Sequence, residues 1–444
     1  MSNNSLPLPD DSDQSISTMP NLIDFEAGMD GRQLKAALIM IVVWSLVFCL
    51  HVVTGGGWLV WGIALIFAGQ MWRLFAARPT ASAAVTTNLP LISLVVSAHN
   101  EENVVEQLAA NLGQLDYPAD RYEVWVIDDR SVDRTPQLLD KLAQQYPQLQ
   151  VLHRTTGSGG KSGALNQVLP LLTGEFIGVF DADAQVESNF LQMLVSHFDN
   201  PKVGAVQMRK SIANVSTNWL TQGQSIEMTM DAYIQQQRIA TGGIGELRGN
   251  GQFLRRQALI DCGGWNEETI TDDLDLTFRL HLQGWDVGLA LWPCVQEEGV
   301  TTLTALWPQR QRWGEGGYQR YLDYWRLLTA NKLGTWQKNW DLCSFSLFQY
   351  ILPLAMVPDL ALAIAWQESP LLTPLTVVGI ILQVVGMIIG AQRIGQQLSV
   401  GSILIGLLYL VHWVVVMPWT TVRMAFQPKT LKWVKTPRQA DSTT

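Results

Sequence analysis

The stretch FIGVFDAD, residues 176–183, decides how the chain is read. Its first five residues are apolar without alternation, the pattern of a strand covered on both faces. Two acids follow at once. Side chains alternate along a strand with period two, so Asp181 and Asp183 are predicted on one face of its end. Outward from it the pattern recurs. ISLVVSA (92–98) and VLHR (151–154) read as strands, and YEVWVIDD (122–129) is another, ending in Asp128 and Asp129. Helices fill the gaps: one from Glu101 to about Leu115, one opening at Asp133-Arg-Thr-Pro136, and one entered through GKSGALNQ. This alternation predicts an α/β fold, a doubly wound, Rossmann-like parallel sheet that binds ligands outside the carboxyl ends of its strands. All four acids fall at those ends.

The two ends of the chain read differently. Of 444 residues only 16% are charged, against about 25% in ordinary soluble proteins. The apolar excess sits outside the strand-rich middle. Residues 36–53 and 58–75 form two apolar runs separated by Thr54-Gly-Gly-Gly57, each close to the ~20 residues that cross a bilayer. Arg32 and Lys35 precede the pair, and Arg73 and Arg78 follow it. A helical hairpin with both flanks cytoplasmic is expected, and with it an integral, multi-pass membrane protein whose middle domain is cytoplasmic. Three more apolar runs follow at 342–366, 371–391 and 402–419, the first interrupted by Pro353, Pro358 and Asp359. Residues 303–329, rich in Trp, Tyr, Arg and Gln, read as helices lying at a membrane interface.

The resulting division is an acidic, disordered N-terminus (1–34), a transmembrane hairpin (35–78), an α/β domain (90–302), interfacial helices (303–340), a C-terminal transmembrane region (341–420) and a basic tail (421–444). That tail carries Arg423, Lys429, Lys432, Lys435 and Arg438 against Asp441, which suits a cytoplasmic face rich in anionic lipid. Three simple spans before it would leave it outside. One of them, 402–419 or the Pro-broken 342–366, is therefore expected to be re-entrant or interfacial. A net charge of −9, with no basic stripe among aromatics, excludes a nucleic-acid partner. Cys49, Cys262, Cys294 and Cys343 lack the spacing of a disulfide framework or a zinc site and indicate a reducing compartment.

Several segments carry chemistry. The paired acids of DAD can share a hard divalent cation with a diphosphate; a lone DxD is usually only a turn, but here IDD ends a second strand. TDDLDL (271–276) holds more acids than a helix cap needs, and a carboxylate there could take a proton from an attacking hydroxyl. GGKSGALNQ sets Lys161 among glycines at a helix start, a place for phosphate. QRQRW (309–313) offers Arg310 and Arg312 to a diphosphate and the flat face of Trp313 to a sugar ring or an acceptor.

In order and spacing, SAHNEE, IDD, GKSGALN, DAD, TDD and Q-x-x-R-W across residues 92–313 resemble the family 2 inverting glycosyltransferases of the GT-A fold. Cellulose, hyaluronan and glycolipid synthases belong to that group. The resemblance implies that His99, Glu101, Asp128 and Asp129 hold the uridine of the donor. It implies that Asp181 and Asp183 bind Mg2+ or Mn2+, that Asp273 is the general base with Asp272 as fallback, and that Lys161, Asp181, Gln309, Arg312 and Trp313 meet the donor's remaining parts. Many members have TYNE where this chain has Ala98-His99-Asn100-Glu101.

Longer segments, among them RQLKAALIMIVVWS, GGIGELRGNGQF, CGGWNEETITDDLDLTFRLHLQGWD, EGGYQRYLDYW and LKWVKTPR, are similar to cyanobacterial glycolipid synthases of that family. This implies UDP-glucose as donor, diacylglycerol as acceptor, and residence in a cyanobacterial plasma or thylakoid membrane. Acceptor and gating contacts would come from Gly249, Asn250, Gly251, Gln252 and Trp313, and from Trp433, Lys435 and Arg438 in the tail. Two alternatives stay open: a processive polysaccharide synthase, which shares every motif but needs a polymer channel, and a catalytically dead membrane scaffold or transporter, against which the retained acids argue.

Overall fold

In the computed structural model the residues described are 25, 30–79 and 89–428; the N-terminal stretch expected to be disordered lies almost wholly outside them, as does the tail from 429. Two apolar helices come first, α1 (Arg32–Val52) and α2 (Gly56–Ala76), turned at Gly55 with φ +93°. The α/β domain then runs β1 (Ile92–Ala98), α3 (Val105–Leu112), β2 (Tyr122–Asp129), α4 (Thr135–Gln145), β3 (Leu149–Arg154), α5 (Gly160–Val168) and β4 (Phe176–Phe180). It continues through α6 (Phe190–Val195), β5 (Val203–Ile212), α7 (Trp219–Ala240), β6 (Gln252–Arg255), α8 (Arg256–Asp261), α9 (Asp272–Leu282) and β7 (Asp286–Glu297).

The unalternated apolar runs have their explanation in two cores, one on each sheet face. Leu94 and Val96 pack with Leu108 of α3, Leu139 of α4 and Phe190 of α6. Val95 points the other way, to Ala164 and Leu165 of α5 and Leu276 of α9. Among the described residues the sheet has seven strands in the order β3-β2-β1-β4-β6-β5-β7. Neighbours among β1 to β4 are parallel, as expected, but β6 is antiparallel to both β4 and β5. The sheet is therefore mixed. The long α7 carries the chain across the domain, and QFLR returns beside β4 in the opposite sense. The expected position of DAD also needs correction. β4 ends at Phe180, and Asp181 to Ala184 form a turn closed by Ala184 N donating to Asp181 O at 3.0 Å, so a shared strand face does not relate the two acids.

After β7 come α10 (Leu303–Asp323), α11 (Trp325–Thr329), α12 (Trp336–Ser346), α13 (Leu352–Trp366), α14 (Thr373–Arg393) and α15 (Val400–Phe426). The second half of α10 is largely buried, against α9, α15 and the start of α1, not spread on a surface as expected. A single π turn, Leu347–Ile351, joins α12 to α13, so residues 336–366 form one continuous helix of 31 residues and Pro353 and Pro358 do not break it. Five helices among the described residues, including α1, α2, α14 and α15, are long and apolar enough to cross a membrane. Trp58 and Trp72, near the two ends of α2, are 82% and 74% exposed, the placement of interfacial anchors.

Candidate active site

The connections β1→β2→β3 lead toward one sheet edge, whereas β4 lies on the other side of β1. The crevice above β1 and β4 is thus the topological switch point, where open α/β sheets bind ligands. A cavity of about 1120 Å3 opens there. It is lined by Asp181 and Asp183 from the turn after β4, Lys161 from the first turn of α5, and Asp272 and Asp273 from the first turn of α9. Gly159 and Gly160, at φ +79° and +53°, bring the chain into α5 so that Lys161 Nζ donates to Asp181 Oδ1 at 2.6 Å. Asp181 N donates to Asn250 Oδ1 at 3.2 Å, which fixes the DAD turn against the loop before β6.

Of the acids on α9 only two enter the cavity. Asp275 is buried, pairs with Arg279 at 2.7 Å and accepts from the Tyr324 hydroxyl at 2.7 Å. Asp273 is pushed up to about 6, first by burial and then by the Asp272 carboxylate. Burial opposes the charge on Lys161, but Asp181 and Asp272 outweigh it and raise its pKa. Arg312 is lowered by burial, partly offset by Asp181 and Asp273. The cavity gathers acids that repel one another unless cations join them.

Among the described residues no three His, Cys, Asp or Glu side chains are grouped as a ready metal cage. A cation arriving with a diphosphate needs less. Mg2+ is usually held by one or two carboxylates, with waters and phosphate oxygens completing the shell. Asp181 and Asp183, two residues apart on a tight turn beside Lys161, fit that requirement.

At the other side of the crevice His99, Glu101 and Asp129 line the cavity. His99 is tied through Nδ1 to Asp129 O at 2.6 Å, and the Asp129 carboxylate is gripped by Arg130 at 2.9 Å and Arg154 at 3.1 Å. Asp128 does not line the cavity. As the neighbour of Asp129 on a strand it points to the opposite face, where it accepts from Ser131 N and pairs with His153 Nδ1 at 2.9 Å.

Gln309, Arg312 and Trp313 of α10 line the same cavity. Arg310, offered by sequence to a diphosphate, is only 1% exposed; it pairs with Glu227 of α7 at 3.0 Å and donates to the Tyr409 hydroxyl of α15 at 2.6 Å. The Trp313 ring is approached by two cations, Arg310 at 4.1 Å and Lys210 at 5.2 Å. From the GNGQ segment Gly249 and Asn250 reach the cavity, whereas Gly251 and Gln252 lie outside its lining. Gly251 sits at φ +76°, where a Cβ would meet Val295 Cγ1 at 2.7 Å. Trp433, Lys435 and Arg438 lie outside the described residues.

Other lining residues went unread. Glu297 ends β7 and pairs with Lys210 of β5 at 2.9 Å. Burial, with Asp183 and Asp181 nearby, raises its pKa against the pull of Lys210. An acid at the end of the run WPCVQE is the same signal that marked DAD. Behind the lining, Glu246 is fully buried among Arg238, Arg248 and Arg320. Burial works against its charge, but the three guanidiniums outweigh it and hold its carboxyl far below the usual range. Arg248 also reaches Asp231 of α7 at 3.0 Å, so this cluster locks α7 and α10 to the loop that carries Gly249.

Comparison with known proteins places this architecture. Residues 93–263 match the family described as Glycosyl transferase family 2. The chain is 54% identical over 417 residues to a β-monoglucosyldiacylglycerol synthase of Nostoc sp., covering 91% of this chain and 89% of that protein. It is 52% identical over 430 residues to the protein of the same name from Synechocystis sp., covering 93% and 90%. Among solved structures, a mannosyltransferase from Pyrobaculum calidifontis, in complex with GDP-Man and Mn2+, superposes with a TM-score of 0.57 at 20% identity, over 86% of this chain and 99% of that one, a likeness of fold. The chain belongs to glycosyl transferase family 2, on the branch that contains the β-monoglucosyldiacylglycerol synthases of cyanobacteria.

Proposed function

We propose that the protein transfers glucose from UDP-glucose to 1,2-diacylglycerol with inversion, making β-monoglucosyldiacylglycerol at the cytoplasmic face of a membrane. The carrying observation is a single cavity that runs from the carboxylates and cations at the sheet to apolar side chains of the candidate membrane helices. The names of the relatives, at more than half identity, support the same acceptor.

In this reading Asp273 takes the proton of the lipid hydroxyl as its oxygen attacks C1 of glucose. The bond from C1 to the UDP oxygen breaks on the opposite face, and the configuration inverts. An acid poised near 6 is deprotonated at neutral pH yet basic enough to serve. Lys161 and Arg312 neutralise the leaving diphosphate, and Asp181 and Asp183 hold a divalent cation, Mg2+ or Mn2+. When bound, that cation would supply further charge stabilisation for the leaving group. His99, Glu101 and Asp129 face the nucleoside, while Gly249, Asn250 and Trp313 border the acceptor.

The contacts of the candidate spans support four crossings rather than five. Near the α1–α2 turn, His51 meets Asp359 of α13 at 2.8 Å, and the Leu371 amide before α14 donates to the same carboxylate at 2.9 Å. At the other end α12 is tied to the catalytic domain through Asp341 and Arg238, and α14 through Arg393 and Gln236. α15 behaves differently: it packs on α1, α13 and α14, but from Gly406 to Arg423 it also meets α7 and α10. Gly406 packs on Ile226, Trp413 donates to Glu227 at 2.6 Å, and Arg423 pairs with Glu315. Met424 reaches Ala36 at the start of α1. An α15 lying along the membrane face keeps its C-terminal end on the side of the active site. Single cysteines at Gln396 and Gln427, in a cysteine-free background, should then be labelled from the same side. Labelling from opposite sides would require a fifth crossing.

The decisive assay supplies radiolabelled UDP-glucose and diacylglycerol to membranes holding the full chain. Label in the organic extract, alkali-labile in its acyl esters, is expected. Label in ethanol-insoluble material would replace this reading with a polysaccharide synthase.

A further inference from the structure

The cavity has two chemically distinct ends. Beyond the carboxylates it continues among Phe348, Pro353, Met356 and Gly379 of α12 to α14 and reaches Leu407 and Val411 of α15. Val411 lines the cavity and is also 55% exposed, as is Ile380 of α14 at 45%. The apolar end therefore opens on the outer surface between α14 and α15, within a stripe of exposed aliphatic residues that includes Leu404, Leu408 and Val415. Such a mouth faces hydrocarbon rather than water.

Amides interrupt this apolar lining, Gln349 of the π turn among them, and two lie near α7, Gln70 of α2 and Gln383 of α14. Gln70 is 7% exposed, and its Nε2 donates to nothing among the described residues. A buried amide hydrogen without an acceptor is costly, which makes it a site prepared for an oxygen that comes from elsewhere. Both amides sit about one turn from where their helices meet α7: Leu74 O accepts from Gln237, and Gly386 packs on Met230. They stand where the apolar end gives way to the polar one.

We propose that the apolar end is an acyl-chain site entered sideways from the bilayer between α14 and α15, and that Gln70 and Gln383 donate to the ester carbonyls of the acceptor lipid. A glycerol diester matches this order of groups: chains among aliphatic side chains, carbonyls at the amides, and the free hydroxyl presented toward Asp273. The proposal rests on the reading of the protein as a diacylglycerol glucosyltransferase.

The test uses the full chain in lipid nanodiscs, with UDP-glucose and either dioleoylglycerol or the matching dialkylglycerol, which has the hydroxyl and both chains but no ester carbonyls. The wild type should favour the diester by about five- to tenfold in kcat/KM, the scale of one or two hydrogen bonds. Gln70→Leu and Gln383→Leu should each shrink that ratio toward one by raising KM for the diester, with the KM for UDP-glucose little changed. Equal loss on both lipids, or an unchanged ratio, would overturn the role of the amides. On the wild type, a diacylglycerol with a photoreactive acyl chain should label peptides of α13, α14 and α15 that line the cavity. Labelling confined to other surfaces would overturn the acyl site. If the wild type glucosylates neither lipid, the assigned function itself fails, which separates the two failures.

Discussion

Lys161 Nζ lies 2.6 Å from Asp181 Oδ1, an ion pair between the first turn of α5 and the turn that follows β4. Lys161 thereby neutralises one member of a crowd that includes Asp272 and Asp273. In the proposed reaction the same ammonium meets the diphosphate of the donor. Lys161→Met should lower kcat/KM for UDP-glucose by about 10²–10³-fold, the range for removing one preorganised electrostatic contact to a leaving group. Steady-state kinetics at saturating lipid measure this, and a loss under about threefold would end the assignment.

Asp273 offers a pH test. The base must be ionised, so the rate should rise with pH through about 6 and then level. The same shift acts on stability in the opposite sense. Between the unfolded value of about 3.9 and the folded value near 6, the native chain keeps a proton that the unfolded chain has lost, so this group weakens the fold as pH rises through that window. At neutral pH the penalty is about 3 kcal/mol. Asp273→Asn should thus abolish transfer while leaving UDP binding and raising thermal stability above about pH 6. Transfer retained by the purified variant would return the role of base to Asp272.

Removal of divalent cations should stop the reaction reversibly. Asp181 and Asp183 on their turn offer too few carboxylates for a permanent cage, so the cation is expected to exchange with each donor and EDTA to act within minutes. Asp183→Asn should raise the Mg2+ or Mn2+ concentration needed for half activity by at least tenfold. A rate indifferent to chelator would remove the metal from the mechanism.

Much of this site was legible because its acids follow strands whose apolar runs stand out. Asp129, Asp181 and Asp183 were read that way, and Lys161 from its glycines. The error over Asp128 came from treating neighbours on a strand as one site, although period two sends them to opposite faces. Glu297 carried the same signal as DAD but lies on β7, a strand the pattern did not reveal because Trp292 and Pro293 interrupt its apolar run. The antiparallel β6 is four residues long and owes its place to Phe176, Gly178 and the loop after α7, which is tertiary information. The course of α15 was equally hidden, since a helix that crosses a membrane and one that lies on it can share an apolar composition. The partners of Glu227 bear on that course, and they come from two segments far apart in sequence, Arg310 of α10 and Tyr409 and Trp413 of α15.

Two neighbouring arginines give the sharpest contrast. Both border the cavity, but Arg310 is 1% exposed and held between α7 and α15 by Glu227 and Tyr409, whereas Arg312 is the one proposed to meet the donor's diphosphate. Removing one partner of a buried pair strands the other charge and costs roughly 3–5 kcal/mol. Arg310→Met should therefore lower thermal stability steeply, and replacing Glu227 with Gln in the same chain should restore part of the loss. Arg312→Met should cost clearly less stability than Arg310→Met and instead raise KM for UDP-glucose and lower kcat. Thermal scans of both proteins in the same detergent, beside donor kinetics, separate these outcomes. Equal destabilisation by the two substitutions would mean that Arg312 also holds the fold together and would take from it the role of meeting the diphosphate.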